Sequence, residues 1–144
     1  TGSEMCIRDR VGTPERERAG RLLGAVGAVE WVEDEALMDA VTAVSGSGPA
    51  YLFLLVEMLD AAARAEGLPA AVARRLAVET VYGAARMARE LDEDPAVLRE
   101  QVTSRGGTTA AALAVLEDAA IRDTFARAVH AARMRSAELA GEGR

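Results

Sequence analysis

A chain of 144 residues that is 50% hydrophobic, 28% charged and 3% aromatic has the length of one domain and the composition of a folded one, which excludes disordered, collagenous and fibrous classes. Seventeen Lys and Arg against 23 Asp and Glu give a formal net charge of -6, a field that repels phosphate backbones and argues against a nucleic-acid partner. The longest uncharged apolar stretch, Gly46 to Val56, falls short of the roughly 20 residues of a bilayer span, so no membrane partner is expected.

No signal-peptide pattern opens the chain. One cysteine, Cys6, and one histidine, His130, supply neither an internal disulfide nor a zinc ligand set, so no metal is expected and a reduced, cytoplasmic setting is the default. The apolar content is mostly alanine, leucine and valine, residues that fill helices at little entropic cost, which points to an all-α chain.

Residues 1–10 show no periodicity and read as a non-native or misread leader. Thr13, Pro14 and Glu15 form an N-cap, a first-turn proline and an acid, predicting a helix to about Leu23 that stops at Gly24. Gly27 to Val32 reads as a short strand. One helix and one strand cannot build a sheet alone, so this piece resembles the last unit of something that continues upstream.

Asp34 or Glu35 starts a further helix, interrupted by a loop at Ser45-Gly46-Ser47-Gly48-Pro49. Leu52, Leu55, Val56 and Leu59 then recur at helical spacing, with Phe53, Leu54 and Met58 on the other faces. A helix apolar nearly all round needs cover on every side, which in so short a chain predicts an oligomer, most simply a two-fold dimer with residues 49–60 near its axis. Gly67 stops that helix and Pro69 opens another through Leu91. Shorter helices follow over 95–103 and 108–117, separated by Ser104-Arg105-Gly106-Gly107, and a last one over 120–139 precedes a short tail at 141–144.

Two stretches can carry chemistry. In Val102-Thr103-Ser104-Arg105-Gly106-Gly107-Thr108-Thr109, two glycines ahead of a helix can leave several backbone N–H groups aimed at one spot. The helix dipole and the Ser104, Thr108 and Thr109 hydroxyls would add to a carboxylate or phosphate site. The bland alternative is a turn with Thr as N-cap. Ser45 to Pro49 offers the same choice, a bare backbone for a flat ligand or a plain helix junction, and it matches neither the P-loop nor the Gly-x-Gly-x-x-Gly fingerprint. Glu35 and Asp39, one turn apart, read as a capping acid and a solvated face. His130, among alanines, reads as a solvated or packed imidazole.

Asp39-Ala-Val-Thr42 leading into Ser45-Gly-Ser-Gly-Pro-Ala-Tyr51, followed by Pro95 and then Val102 to Thr109 running into Leu113 and Glu117, resembles the C-terminal domain of pyrroline-5-carboxylate reductase from about Arg16 to Leu139. The resemblance implies a helical bundle of the 6-phosphogluconate-dehydrogenase C-terminal type over 33–140, forming an intertwined homodimer or higher homo-oligomer. Residues 11–32 would be a remnant helix and strand of a Rossmann domain. It implies reduction of the cyclic imine L-1-pyrroline-5-carboxylate to L-proline, the last step of proline biosynthesis, with NADPH or NADH.

The same resemblance places the substrate carboxylate at Ser104, Gly106, Gly107, Thr108 and Thr109, with Thr109 as the catalytic residue that orients the imine. Glu35 and Gln101 fall at further substrate positions, and Ser45, Gly46, Ser47, Gly48 and Pro49 would face the nicotinamide. Arg105 stands where the family commonly has proline. With no dinucleotide fingerprint in the 144 residues, this stretch by itself is expected to be inactive. Two alternatives are a stand-alone helical dimer that binds a small carboxylate, and a related imine or 2-hydroxy-acid reductase domain.

Overall fold

The computed structural model describes residues 12–142; the expected leader at 1–10, with Cys6, lies outside the described residues. Helix α1 spans Thr13–Gly24, with Glu15 in its first turn and Arg21 in its last, signs that suit the helix dipole. Its N-cap is Gly12 and not Thr13, and no side chain caps it. The strand expected at 27–32 is not formed, and no strand occurs among the described residues. A strand exists only by pairing, and no described segment pairs with this one. Trp31 is instead half-buried beneath the Arg16 guanidinium, 4.5 Å from its ring centroid, and Arg16 also donates to Glu33 at 2.6 Å.

Asp34 caps the next element, its carboxylate accepting from the Ala36 N–H at 2.9 Å. A 3₁₀ turn (Glu35–Leu37), α2 (Met38–Val41), a π turn (Thr42–Gly46) and α3 (Gly48–Ala65) then follow with only Ser47 outside a helical turn. The loop expected at Ser45 to Pro49 is therefore a change of register and not a break. Pro49 has no N–H for the carbonyl four residues before it, so the α ladder cannot run through. The chain takes up the mismatch with a wider turn, in which the Ser47 N–H reaches Thr42 O at 2.9 Å. The Thr42 and Ser45 hydroxyls donate to Met38 O and Val41 O, each at 3.0 Å.

The resulting helical run, Glu35–Ala65, is 31 residues long with a mean hydropathy of 1.3 over its most apolar window, of which 6% is buried. Its length and composition are those of a membrane span, which counting only the uncharged stretch did not reveal. It closes in a Schellman motif: Leu68 N–H to Ala63 O (3.1 Å) and Gly67 N–H to Arg64 O (3.0 Å), with Gly67 at φ +92°, where glycine avoids the Cβ penalty.

Helix α4 (Ala70–Glu90) follows Pro69, and α5 (Pro95–Gln101) is capped by Asp94, which accepts from Ala96 N–H at 2.7 Å. Helices α6 (Thr108–Asp118) and α7 (Ile121–Glu142) are joined through Ala120 at φ 51°. Ala120 and Asp92 take the left-handed residue that ends a helix, a position where the sequence offers no glycine.

Packing divides the described residues into two compact units, one running up to Pro49 together with the segment from Arg127 onward, the other spanning Ala50–Ala126. In the first, Ala43 is fully buried and the Ser136 hydroxyl donates to Asp39 at 2.7 Å. In the second, Ala73, Ala77 and Leu98 are buried, and Tyr51 meets Phe125 edge-on with ring centroids 5.7 Å apart. These four residues are the buried apolar core among those described. Phe53 (67% exposed) and Leu54 (55%) stand uncovered on α3. The all-round burial that the apolar pattern calls for is thus not supplied by the described residues.

Candidate functional site

The segment between α5 and α6 is a tight turn. The Gly107 N–H bonds back to Ser104 O at 3.0 Å, Gly106 lies at φ +71° and Arg105 does not share that sign. A positive φ confined to the third position defines a type II turn, which favours glycine there. Gly107 is then the N-cap of α6, extended at φ -81° and ψ 176°, with no side chain capping the helix. A Cβ on Gly107 would clash with the Ser104 hydroxyl and sit 3.2 Å from its carbonyl oxygen, so any side chain there would have to displace Ser104.

This turn revises both readings of the glycine pair. Gly107 does not add its own N–H to a cradle, because Ser104 accepts it. Nor is a threonine the cap. What remains is the helix start: the N–H groups of Thr108, Thr109 and Ala110 have no backbone acceptor among the described residues, the first ladder bond being Ala111 N–H to Gly107 O at 3.2 Å. Three convergent donors at the positive end of an 11-residue helix suit one carboxylate.

The hydroxyls of the two candidate stretches differ in what they do. Thr103 donates to Arg99 O at 2.6 Å and Ser45 to Val41 O, so both serve the backbone. The Ser104, Thr108 and Thr109 hydroxyls make no hydrogen bond among the described residues, and Thr109, with Ala110 beside it, is half-buried. In the second unit, then, Ser104, Gly106, Gly107, Thr108 and Thr109 gather around the α6 start. Gln101, at the end of α5, is exposed and donates to Glu93 at 2.8 Å. Arg105 is exposed at the second position of the turn.

In the first unit, Ser45 to Pro49 forms the end of the π turn and the first residues of α3. A Cβ on Gly48 would meet nothing within 4 Å, and one on Gly46 would meet only the Thr42 methyl at 3.6 Å. The segment therefore offers a stretch of backbone without bulky cover, with the Ser47 N–H already committed to Thr42. Glu35 lies in the 3₁₀ turn, and the capping acid of the pair expected there is Asp34. Asp39 is not on a solvated face: it is half-buried and paired with Ser136, 97 residues further on, a partner that no local pattern could reveal. His130 is exposed on α7. No cluster of three metal-ligating side chains occurs among the described residues.

The family model described as pyrroline-5-carboxylate reductase dimerisation matches residues 35–139. A pyrroline-5-carboxylate reductase of Pseudomonas aeruginosa is 47% identical over 138 residues, 96% of this chain and 50% of that protein. Among solved structures, a pyrroline-5-carboxylate reductase from Coxiella burnetii superposes with a TM-score of 0.89 at 42% identity, covering 94% of this chain and 50% of the other. The pyrroline carboxylate reductase of Plasmodium falciparum, solved with NADP bound, gives 0.81 at 30% identity, covering 92% and 50%. The chain thus spans about half the length of the relatives it matches. With the family match lying over the helical run, both glycine-bearing segments and most of α7, this chain belongs to the pyrroline-5-carboxylate reductase dimerisation family.

Proposed function

We propose that the chain is the substrate-binding and dimer-forming half of a cytoplasmic pyrroline-5-carboxylate reductase, in which residues 33–140 form the helical domain and 11–32 the end of a dinucleotide-binding domain. The observation that carries the reading is the start of α6: three N–H donors without acceptors, beside a half-buried threonine whose hydroxyl is uncommitted. A cyclic imino acid presents one carboxylate and one ring nitrogen. The carboxylate fits the Thr108, Thr109 and Ala110 N–H groups, where the helix dipole lowers its energy. The Thr109 hydroxyl then lies within reach of the ring nitrogen and orients the imine as its carbon accepts hydride and its nitrogen ends with one proton.

NADPH or NADH supplies the hydride when bound. The bare backbone from Ser45 to Pro49 fits a flat nicotinamide ring, but its Ser47 N–H and Ser45 hydroxyl are already bonded within the chain. It therefore suits ring packing and not pyrophosphate binding, whose fingerprint these residues lack. The exposed apolar face of α3 is covered in this reading by a second copy of the chain, in keeping with a dimerisation domain. The test is to join the chain to the other half of its Pseudomonas aeruginosa relative and follow NADPH consumption with pyrroline-5-carboxylate. Turnover is expected, and Thr109→Ala should lower it about 10²-fold, within the range of acid–base and orienting groups. A mutant at the wild-type rate would remove Thr109 from the mechanism.

A further inference from the structure

The segment before α3 changes hydrogen-bond register twice in twelve residues, from the 3₁₀ turn Glu35–Leu37 to α2 to the π turn Thr42–Gly46. None of the three pieces exceeds five residues, too short to be stable by itself, so a contact from outside adds to the local bonds that hold its register. The holding contact is visible in the first compact unit. Asp39 and the fully buried Ala43 lie four residues apart, on one face. On α7, Val129, Ala132 and Ser136 are half-buried at helical spacing, and from that face the Ser136 hydroxyl donates to the Asp39 carboxylate at 2.7 Å, a charge-assisted bond stronger than a neutral one. Asp39 is also tied to the turn through its backbone, since its carbonyl and that of Met38 receive the Thr42 N–H, and Thr42 O in turn receives the Ser47 N–H that defines the π turn.

We infer that Asp39 and Ser136 are a positioning pair: the hydrogen bond from α7 fixes the register of the π turn, and with it the bare backbone from Ser45 to Pro49. The inference rests on the reductase reading of that segment. Neither residue belongs to the turn and helix start at α6 that the reading gives to the carboxylate. Losing the pair should therefore affect the placement of reactants more than the capture of the carboxylate.

The experiment uses the full-length reductase that carries this chain and compares Asp39→Ala, Ser136→Ala, their double mutant and Asp39→Asn. Each alanine variant should lower kcat about tenfold with KM for pyrroline-5-carboxylate changed less than about twofold, a displacement of ångström scale at the reacting centre being ample for this. The double mutant should be no worse than either single one, because both remove the same bond. Asp39→Asn, which keeps a side-chain oxygen to accept from Ser136, should restore most of kcat. Amide exchange over residues 40–47 should speed up in the alanine variants and not in Asp39→Asn. Unchanged exchange and kcat overturn the inference, as does faster exchange with unchanged kcat, which leaves a purely structural contact. A wild-type enzyme unable to reduce the imine overturns the reductase reading and the positioning role together, whereas an active wild type with unaltered variants overturns the positioning role alone.

Discussion

Replacing Gly106 by alanine tests whether the type II turn at the start of α6 is required. Gly106 sits at φ +71°, and a Cβ there would meet nothing within 4 Å, so the cost comes from the backbone alone and not from a clash. Holding an L-residue in the left-handed region costs roughly 1–2 kcal/mol, offset by roughly 0.4–1 kcal/mol from the smaller freedom of the unfolded alanine chain. A net loss of about 1 kcal/mol is expected, and with a urea slope of about 1–3 kcal/mol per molar the unfolding midpoint should fall by about 0.3–1 M. The assay is urea unfolding followed by circular dichroism at one fixed chain concentration, since an oligomer's midpoint depends on concentration. Gly106→Asn should lose less, because asparagine enters the left-handed region more readily. Gly107→Ala should also destabilise, for a different reason: its φ is ordinary, but its Cβ would press on Ser104, so a second change, Ser104→Ala, should recover part of the loss. A Gly106→Ala chain with the wild-type midpoint, or an asparagine variant worse than the alanine one, would refute the turn assignment.

Arg105 occupies the second position of the same turn, where proline's fixed φ is favoured, and its N–H donates to no carbonyl among the described residues. Arg105→Pro should raise stability by about 0.4–1 kcal/mol in the same titration, and a loss would show that the site needs the arginine or its N–H. The hydrogen bond from Arg16, and after it the arginine's charge, holds the Glu33 carboxyl below its ordinary value of 4.5. Because the folded form has the lower pKa, the pair contributes fully above pH 4.5 and is lost as pH falls through the folded value. Trp31, the one tryptophan, lies against Arg16 and should report this loss as an emission change below pH 4.5. Arg16→Gln should abolish the change, and an unaltered titration would dissociate the signal from the pair. Phe53→Asp on the exposed face of α3 should convert dimer to monomer in sedimentation runs, since covering a phenylalanine is worth about 1.5–3 kcal/mol per copy. Retention of the dimer would exclude that face from the interface.

The helices after Gly67 were legible because their boundaries are local chemistry. Pro69, Asp94 with Pro95, and Gly107 with Thr108 each lack a donor, supply a cap or permit a turn wherever they are placed, and α4, α5 and α6 start within a residue of where those signals stand. The wrong expectations fell where the outcome depended on a remote partner or on which of several local hydrogen-bond patterns the backbone took. The expected strand at 27–32 needs a neighbouring strand, which no residue of its own can provide. At Ser45 to Pro49, glycine, serine and proline read as a loop, yet hydroxyl-to-carbonyl bonds and a π turn carry the helical run through. The glycine pair suggested an anion site around Gly106 to Thr109, but only the conformation of the turn decided that Gly107 closes the turn and that Thr108, Thr109 and Ala110 have N–H groups free of a backbone acceptor among the described residues.

The sequence by itself determined the helical class, the starts of α4, α5 and α6 and the family resemblance, because these depend on spacing of a few residues along one chain. The tertiary structure alone decided that Asp39 meets Ser136 and that Tyr51 meets Phe125. Such facts depend on which distant groups arrive within contact distance, and short-range patterning carries no record of that.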